Sequence, residues 1–248
     1  LAFTSLSQEI SLNNAKELFL EGKYSDSINV LKNIEDVDAK ILRSRIMSIN
    51  AHYFLTDEDA KNTLKEAIEL SKEAISISPN NDQAYVELAH AIGRYSQNIG
   101  IMKALTQGLA DKVAKNLDKA LEINPENLIA HISKGTWNAE IVNKAGDFMA
   151  KTLYKATSEK AREHYLKAED LIFLLEYNTQ KDPNSISPIA TLYEISYGYS
   201  LLEEKNDIDN AKRLLLEVIN IKSQTHLDDI IKNISTDLSK NLNKWYKE

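Results

Sequence analysis

The chain has no cysteine, and only seven glycines and four prolines among 248 residues. The first absence excludes disulfides, thiolate metal sites, a cysteine nucleophile and a lipidated cysteine anywhere in it. The scarcity of Gly and Pro leaves too little turn-forming material for an all-β fold. No apolar run approaches the ~20 residues that cross a bilayer, so no transmembrane segment is expected. A basic block is missing as well: 30 Lys and Arg are interspersed with 37 Asp and Glu, for a formal charge of −7. Nucleic acid is therefore not an expected partner, because binding it needs a concentrated cationic surface that displaces counterions.

What the chain does have is 43% apolar residues, recurring at three- and four-residue intervals almost throughout. That spacing predicts an all-α fold with a sizeable core. Helix starts are expected at Thr56 before Asp57-Glu58-Asp59, at Asn124 before Pro125, at Ser158, at Ser187 before Pro188, and at Thr225 with Asp228 three residues on. The chain opens on "LAFTSLSQEI". Residues 1–10 read as the remnant of a signal peptide's apolar region or as a flexible N-terminus. The expected location is accordingly periplasmic or secreted, with the cytoplasm as the alternative.

The helices repeat. "LKEAIELSKEAISISPNNDQAYVELA" and "VAKNLDKALEINPENLIAHISKG" superimpose, each with a small residue (Ala74, Ala120) five residues before a proline (Pro79, Pro125) and a fresh helix beyond. Ala161, Tyr165 and Ala168 reproduce the spacing of Ala67, Ser71 and Ala74, and Ala211, Leu215 and Val218 do so again. Ser27, Leu31 and Ile34 follow a turn that carries Gly22 and Tyr24. This pattern resembles the tetratricopeptide repeat, a helix–turn–helix of about 34 residues with small residues where its helices touch.

The resemblance implies an α-solenoid of about five stacked helical hairpins over residues 11–222, degenerate and with inserts, closed by a capping helix over 225–248. Ala89 and Gly135 are the expected points of close helix approach, and Leu227, Ile230, Ile231, Ile234 and Leu238 the expected apolar face of the cap. Four further stretches, "AHAIGRYSQ" (Ala89–Gln97), "GTWNAEIV" (Gly135–Val142), "LYKAT" (Leu153–Thr157) and "HYLKAEDL" (His164–Leu171), resemble bacterial, mostly proteobacterial, tetratricopeptide-like proteins of unassigned function. They are more distantly similar to microtubule-dynamics-regulator-like proteins and to transporter-associated periplasmic helical-repeat proteins. Those resemblances imply binding or assembly, and export, and supply no catalytic residue.

Two candidate binding regions follow. First helices line the concave face in this architecture, so Tyr85, His90, Arg94, Tyr95, His131 and Trp137 are expected to form a polar and aromatic groove for a protein or peptide. Two units carry apolar inserts, one with Ile99, Ile101, Met102 and Leu105 and the other with Phe148, Met149, Leu153 and Tyr154. Three of the seven Gly fall within these inserts. They read either as extra helical turns that fill gaps or as an adaptable lip for a hydrophobic small ligand. The five His are read as isolated; Glu159, Glu163 and His164 come nearest to metal-ligand spacing and are assigned to a solvated face. No nucleophile, base and orienting group converge, so neither a catalytic residue, a metal nor a cofactor is expected. The expected function is a non-enzymatic scaffold that binds a protein or peptide, the alternative being a periplasmic carrier of a hydrophobic ligand for an envelope transporter.

Overall fold

The computed structural model describes residues 2–174 and 187–244. Among these residues there is helix and no strand. The chain divides into two compact units, Leu1–Asn127 and Leu128–Glu248.

The first unit holds three hairpins: α1 (Ala2–Leu20) with α2 (Tyr24–Leu31), α3 (Val37–Tyr53) with α4 (Asp57–Ile77), and α5 (Asp82–Ile99) with α7 (Leu109–Ile123), the last interrupted by the short α6 (Ile101–Thr106). Residues 2–10, read from the sequence as a signal-peptide remnant or flexible N-terminus, form the first part of α1. The second unit holds α8 (Leu128–Ala145) with α10 (Ser158–Leu174), separated by α9 (Asp147–Met149) and a π-helical turn (Ala150–Tyr154). Next comes α11 (Pro188–Ser200) with α12 (Lys205–Asn220), and last α13 (His226–Lys244). Of the expected cap, residues 245–248 lie outside the described set.

The turn after each second helix is written in the sequence. Ser78-Pro79-Asn80-Asn81 and Asn124-Pro125-Glu126-Asn127 each close with an i+3 amide donating to the first carbonyl, at 3.1 and 3.0 Å. Proline's fixed φ suits the second position of such a turn. Asn124 therefore begins a turn, and α8 starts only at Leu128, later than the expected start at Asn124. In the first of these turns Asn81 caps α5, accepting from the Ala84 amide. Asp82 then accepts from the Asn124 and Asn127 side chains at 2.8 and 2.7 Å, tying the two turns together. The α10 cap also shifts by one residue, because Thr157 accepts from the Lys160 amide. Ser187 caps α11 with Pro188 at its first position, as expected. Thr225 and Asp228 exchange side-chain and amide hydrogen bonds to open α13, the reciprocal pairing of a capping box. Asp228 also accepts from the Ser187 hydroxyl, which ties the starts of α11 and α13.

The repeated stripe on the second helices is the buried seam of each hairpin. Ser27, Leu31, Ala67, Ser71, Ala74, Leu117, Ala120, Ala161, Tyr165, Ala168, Ala211, Leu215 and Val218 are all within 1% of full burial. Where serine replaces an apolar residue it bonds to the facing helix: Ser27 donates to the Ala15 carbonyl at 2.6 Å, and Ser44 bridges the Ala67 carbonyl and Ser71. A buried hydroxyl must find such a partner.

The fourth hairpin puts a tyrosine where the others carry Leu31, Ser71, Leu117 and Leu215. Room for Tyr165 comes from two glycines. A methyl group on Gly135 would lie 2.5 Å from Tyr165 Cε1, and one on Gly198 would overlap the Tyr165 hydroxyl. The ring, fully buried, packs at 4.8 Å from Tyr199 and reaches Thr136 Oγ1 at 3.4 Å. Around it lies the core of the second unit, with Leu128, Ile132, Leu171, Ile189, Ile195, Ile208 and Leu214. Helix α13 closes that core with Ile231 and Leu242, and Leu227 and Leu238 pack against it.

This geometry sets an expectation for substitutions. Gly198→Ala forces overpacking and lowers stability by about 1–3 kcal/mol. Gly93→Ala, where an added methyl meets nothing, stabilises by up to about 1 kcal/mol through helix propensity. Thermal denaturation followed by circular dichroism checks both, and equal melting temperatures for the two variants would refute the packing account.

Candidate functional site

Within the first unit, α3 and α5 are both first helices of their hairpins and pack side by side. Their shared seam is charged. Arg45 Nε donates to Glu87 Oε1 at 2.8 Å, and its Nη2 donates to Gln83 at 3.2 Å. His90 Nδ1 stands 3.7 Å from Glu87 Oε2. One to two turns on, the Arg94 guanidinium lies over the Tyr53 ring, 5.9 Å from its centroid, in cation–π geometry. Glu87 is only 2% exposed. Burial by itself would push its carboxyl up; the charge of Arg45 beside it and the approach of His90 outweigh that and hold it at about 2. Four buried polar atoms on these two helices have no hydrogen-bond partner: Arg43 Nε, Ser48 Oγ, Glu87 Oε2 and Arg94 Nη1. Arg43 is engaged on the hairpin side, where its Nη2 pairs with Glu66 of α4.

The corresponding seam of the second unit, between α8 and α11, is aromatic. The Tyr197 hydroxyl donates to Glu140 Oε1 at 2.8 Å. Burial and the Glu140 charge push its phenol up, so it stays a donor. Tyr193 stacks on Tyr197 at 6.4 Å, and on α8 Lys134 Nζ sits 4.8 Å over the Trp137 ring.

The expected groove residues therefore separate. His90 and Arg94 belong to the charged seam of the first unit, and Trp137 stands on α8 in the second. Tyr85 turns back to donate to the Pro79 carbonyl at 3.1 Å, and Tyr95 packs among Ala51, Ala60 and Leu64. His131 leaves the seam and faces its own hairpin partner: its Nδ1 is 3.0 Å from His164 Nδ1 on α10. These two histidines, read as isolated in the sequence, are a pair. Arg45, Glu87, Tyr193 and Tyr197 were missed. For Glu87 the signal was present in the i, i+3, i+7 spacing of Glu87, His90 and Arg94, and for the tyrosines in the i, i+4 spacing of Tyr193 and Tyr197, which puts each set on one helix face; no local spacing marks Arg45.

The inserts differ in kind. In the first, Ala104 and Leu109 are buried and Ile99 packs against them, while Leu105 is 37% exposed. The side chains of Ile101 and Met102 lie outside the described set. This insert behaves as extra helical turns. In the second, Ala150 is buried and Tyr154 half-buried, but Phe148, Met149 and Leu153 are 78%, 45% and 60% exposed. Among the described residues no three His, Asp or Glu gather as a metal site, and no helix is long and apolar enough to cross a membrane.

Hairpins with small residues at their contacts, one following the next along the chain, define a tetratricopeptide-type α-solenoid with degenerate repeats. A thermophilic TPR protein from Thermus thermophilus superimposes with a TM-score of 0.61 at 15% identity, covering 93% of this chain and 97% of its own. At sequence level, residues 11–177 match the family model "Regulator of microtubule dynamics protein 1-3", and the chain belongs to that family. The chain is also similar to the Regulator of microtubule dynamics protein 3 of Bos taurus, 26% identical over 123 residues. That match takes in 46% of this chain and spans only 26% of the bovine protein's length.

The Glu87 pairing fixes an acid response. Its folded-state value, about 2, lies below the ordinary 4.5, so the unfolded chain binds the proton first as pH falls. The stability it contributes is complete above about pH 4.5 and is lost as pH drops toward 2. Glu87→Gln costs about 2–3 kcal/mol at neutral pH, the worth of hydrogen bonds to a charged group, and flattens the slope of stability between pH 4.5 and 2. Urea unfolding at stepped pH measures both; an unchanged slope in the variant would show that Glu87 is not so held.

Proposed function

We propose that the protein is a non-enzymatic scaffold that binds an extended segment of a partner protein along the first-helix seam of α3 and α5. One observation carries this reading: Ser48 Oγ and Arg94 Nη1 are buried on these helices without hydrogen-bond partners, and Glu87 Oε2 is met only beyond hydrogen-bond reach, by His90 Nδ1 at 3.7 Å. A buried polar atom left so costs about 1–3 kcal/mol. The set comprises an acceptor, a donor and a hydroxyl that can act as either, which is what a peptide backbone, alternating C=O and N–H, satisfies. Arg94 and Tyr53 supply the kind of side chains that carry binding energy at interfaces, and the helical platform is already ordered, so little entropy is lost on association. The family model's description and the bovine relative's name speak of regulating microtubule dynamics, and a regulator that works through a bound protein suits this reading.

The test is a photo-crosslinking residue in place of His90, whose side chain is 29% exposed beside Glu87, with the captured peptide identified and resynthesised. Arg94→Ala weakens that peptide about 30-fold, the cost of losing one interface hot spot of about 2 kcal/mol, with the circular dichroism spectrum unchanged. Equal affinity for variant and parent would overturn the assignment.

A second reading rests on the exposed Phe148, Met149 and Leu153: an exported carrier that covers a hydrophobic small ligand with this insert beside an envelope transporter. Native mass spectrometry of the purified protein decides it. The carrier reading requires an added mass that is lost in a Phe148→Ser, Leu153→Ser variant, and a single apo mass in both proteins eliminates it.

A further inference from the structure

His131 on α8 and His164 on α10 place two Nδ1 atoms 3.0 Å apart across the fourth hairpin, with ring centroids at 5.2 Å and planes at 49°. Both side chains are half-buried, so solvent reaches the pair. A contact this short between two ring nitrogens requires one to donate and the other to accept, which places a lone pair and a shared proton between them. Imidazole nitrogens that bind zinc stand about 2.0–2.1 Å from the metal. Two such bonds meeting at roughly 90–110° separate the nitrogens by about 2.9–3.4 Å, and the observed spacing falls inside that interval.

We propose that His131 and His164 form a two-histidine clip for a borderline divalent transition-metal ion such as Zn²⁺, Ni²⁺ or Cu²⁺, pinning α8 to α10. Imidazole suits this class of metal, and the hard cations Mg²⁺ and Ca²⁺ prefer oxygen ligands. On binding, two metal–nitrogen bonds form, the donor ring gives up its Nδ1 proton to solvent and takes one up at Nε2 so that both imidazoles bind neutral, and water fills the remaining positions. With both Nδ1 atoms then unprotonated, a small rotation of each ring turns their lone pairs toward a common apex. The clip is independent of the peptide seam, since it lies within one hairpin and uses neither Arg94 nor Glu87.

The experiment uses the full chain after chelator treatment, titrated with ZnCl₂, NiCl₂ or CuCl₂ while the melting temperature is followed. A ligand that binds the folded state alone raises it. The parent and the control His226→Gln, whose side chain is exposed, shift together. His131→Gln and His164→Gln each weaken the apparent affinity about 100-fold, the loss expected when a two-point attachment becomes one-point. Cu²⁺ electron paramagnetic resonance on the parent provides a readout that does not depend on variant folding, and shows hyperfine splitting from two nitrogens. A shift retained in His131→Gln and His164→Gln, no shift in the parent, or a signal from fewer than two nitrogens each overturns the clip.

Discussion

The contact on which the second unit depends is the seating of one aromatic ring between two glycines. Tyr165 projects from α10 against α8 at Gly135 and against α11 at Gly198. A single side chain thus sets both the spacing within its hairpin and the spacing to the next. Protein interiors pack at crystal-like density, so a ring of this size demands that its neighbours give up atoms in compensation. The other hairpins put less bulk at this position: leucine at Leu31, Leu117 and Leu215, and in the second hairpin a serine, where Ser44 and Ser71 meet. The fourth pairs one large residue with two facing positions that have no side chain.

This difference matters for the surface as well as for the core. Helices α8 and α11, both in contact with the Tyr165 ring, carry Glu140, Tyr193 and Tyr197 on their seam. In the first unit the close serine contacts bring α3 to its partner α4, and α5 then lies beside α3 with Arg45 locked to Glu87. Hairpin packing of one kind thus positions a charged seam, and packing of the other kind an aromatic one. Each seam draws on first helices only, because the second helices spend their small-residue stripe on burial.

Much of the fold was legible in the sequence because its signals are local. Pro79 and Pro125 mark turns through their fixed φ, Ser187 and Thr225 mark helix starts through side-chain oxygens, and the stripe Ala161, Tyr165, Ala168 repeats that of Ala67, Ser71, Ala74. Even so, the proline marked the turn and not the helix start, since Asn124 opens four residues that must close before α8 begins. The site was less legible because it is made across helices. Tyr85 and Tyr95 have the residue type of binding anchors, but one returns to the Pro79 carbonyl and the other packs, half-buried, against Ala51, Ala60 and Leu64. Glu87 shares a helix face with His90 and Arg94, but its partner Arg45 lies 42 positions away in sequence. His131 and His164 are 33 positions apart, and no local rule joins them. Gly198 was equally silent, its role visible only once Tyr165 lay against it.

The compensation between ring and glycine is open to a direct measurement, a double-mutant cycle on unfolding free energy with Gly198→Ala and Tyr165→Leu. Leucine is what the equivalent position holds in three other hairpins, and it removes the hydroxyl and ring edge that an alanine methyl at 198 would strike. The account predicts strong coupling, with the cost of Gly198→Ala largely abolished in the Tyr165→Leu background. Simple addition of the two single costs would mean that the glycine and the tyrosine act independently, and would contradict it.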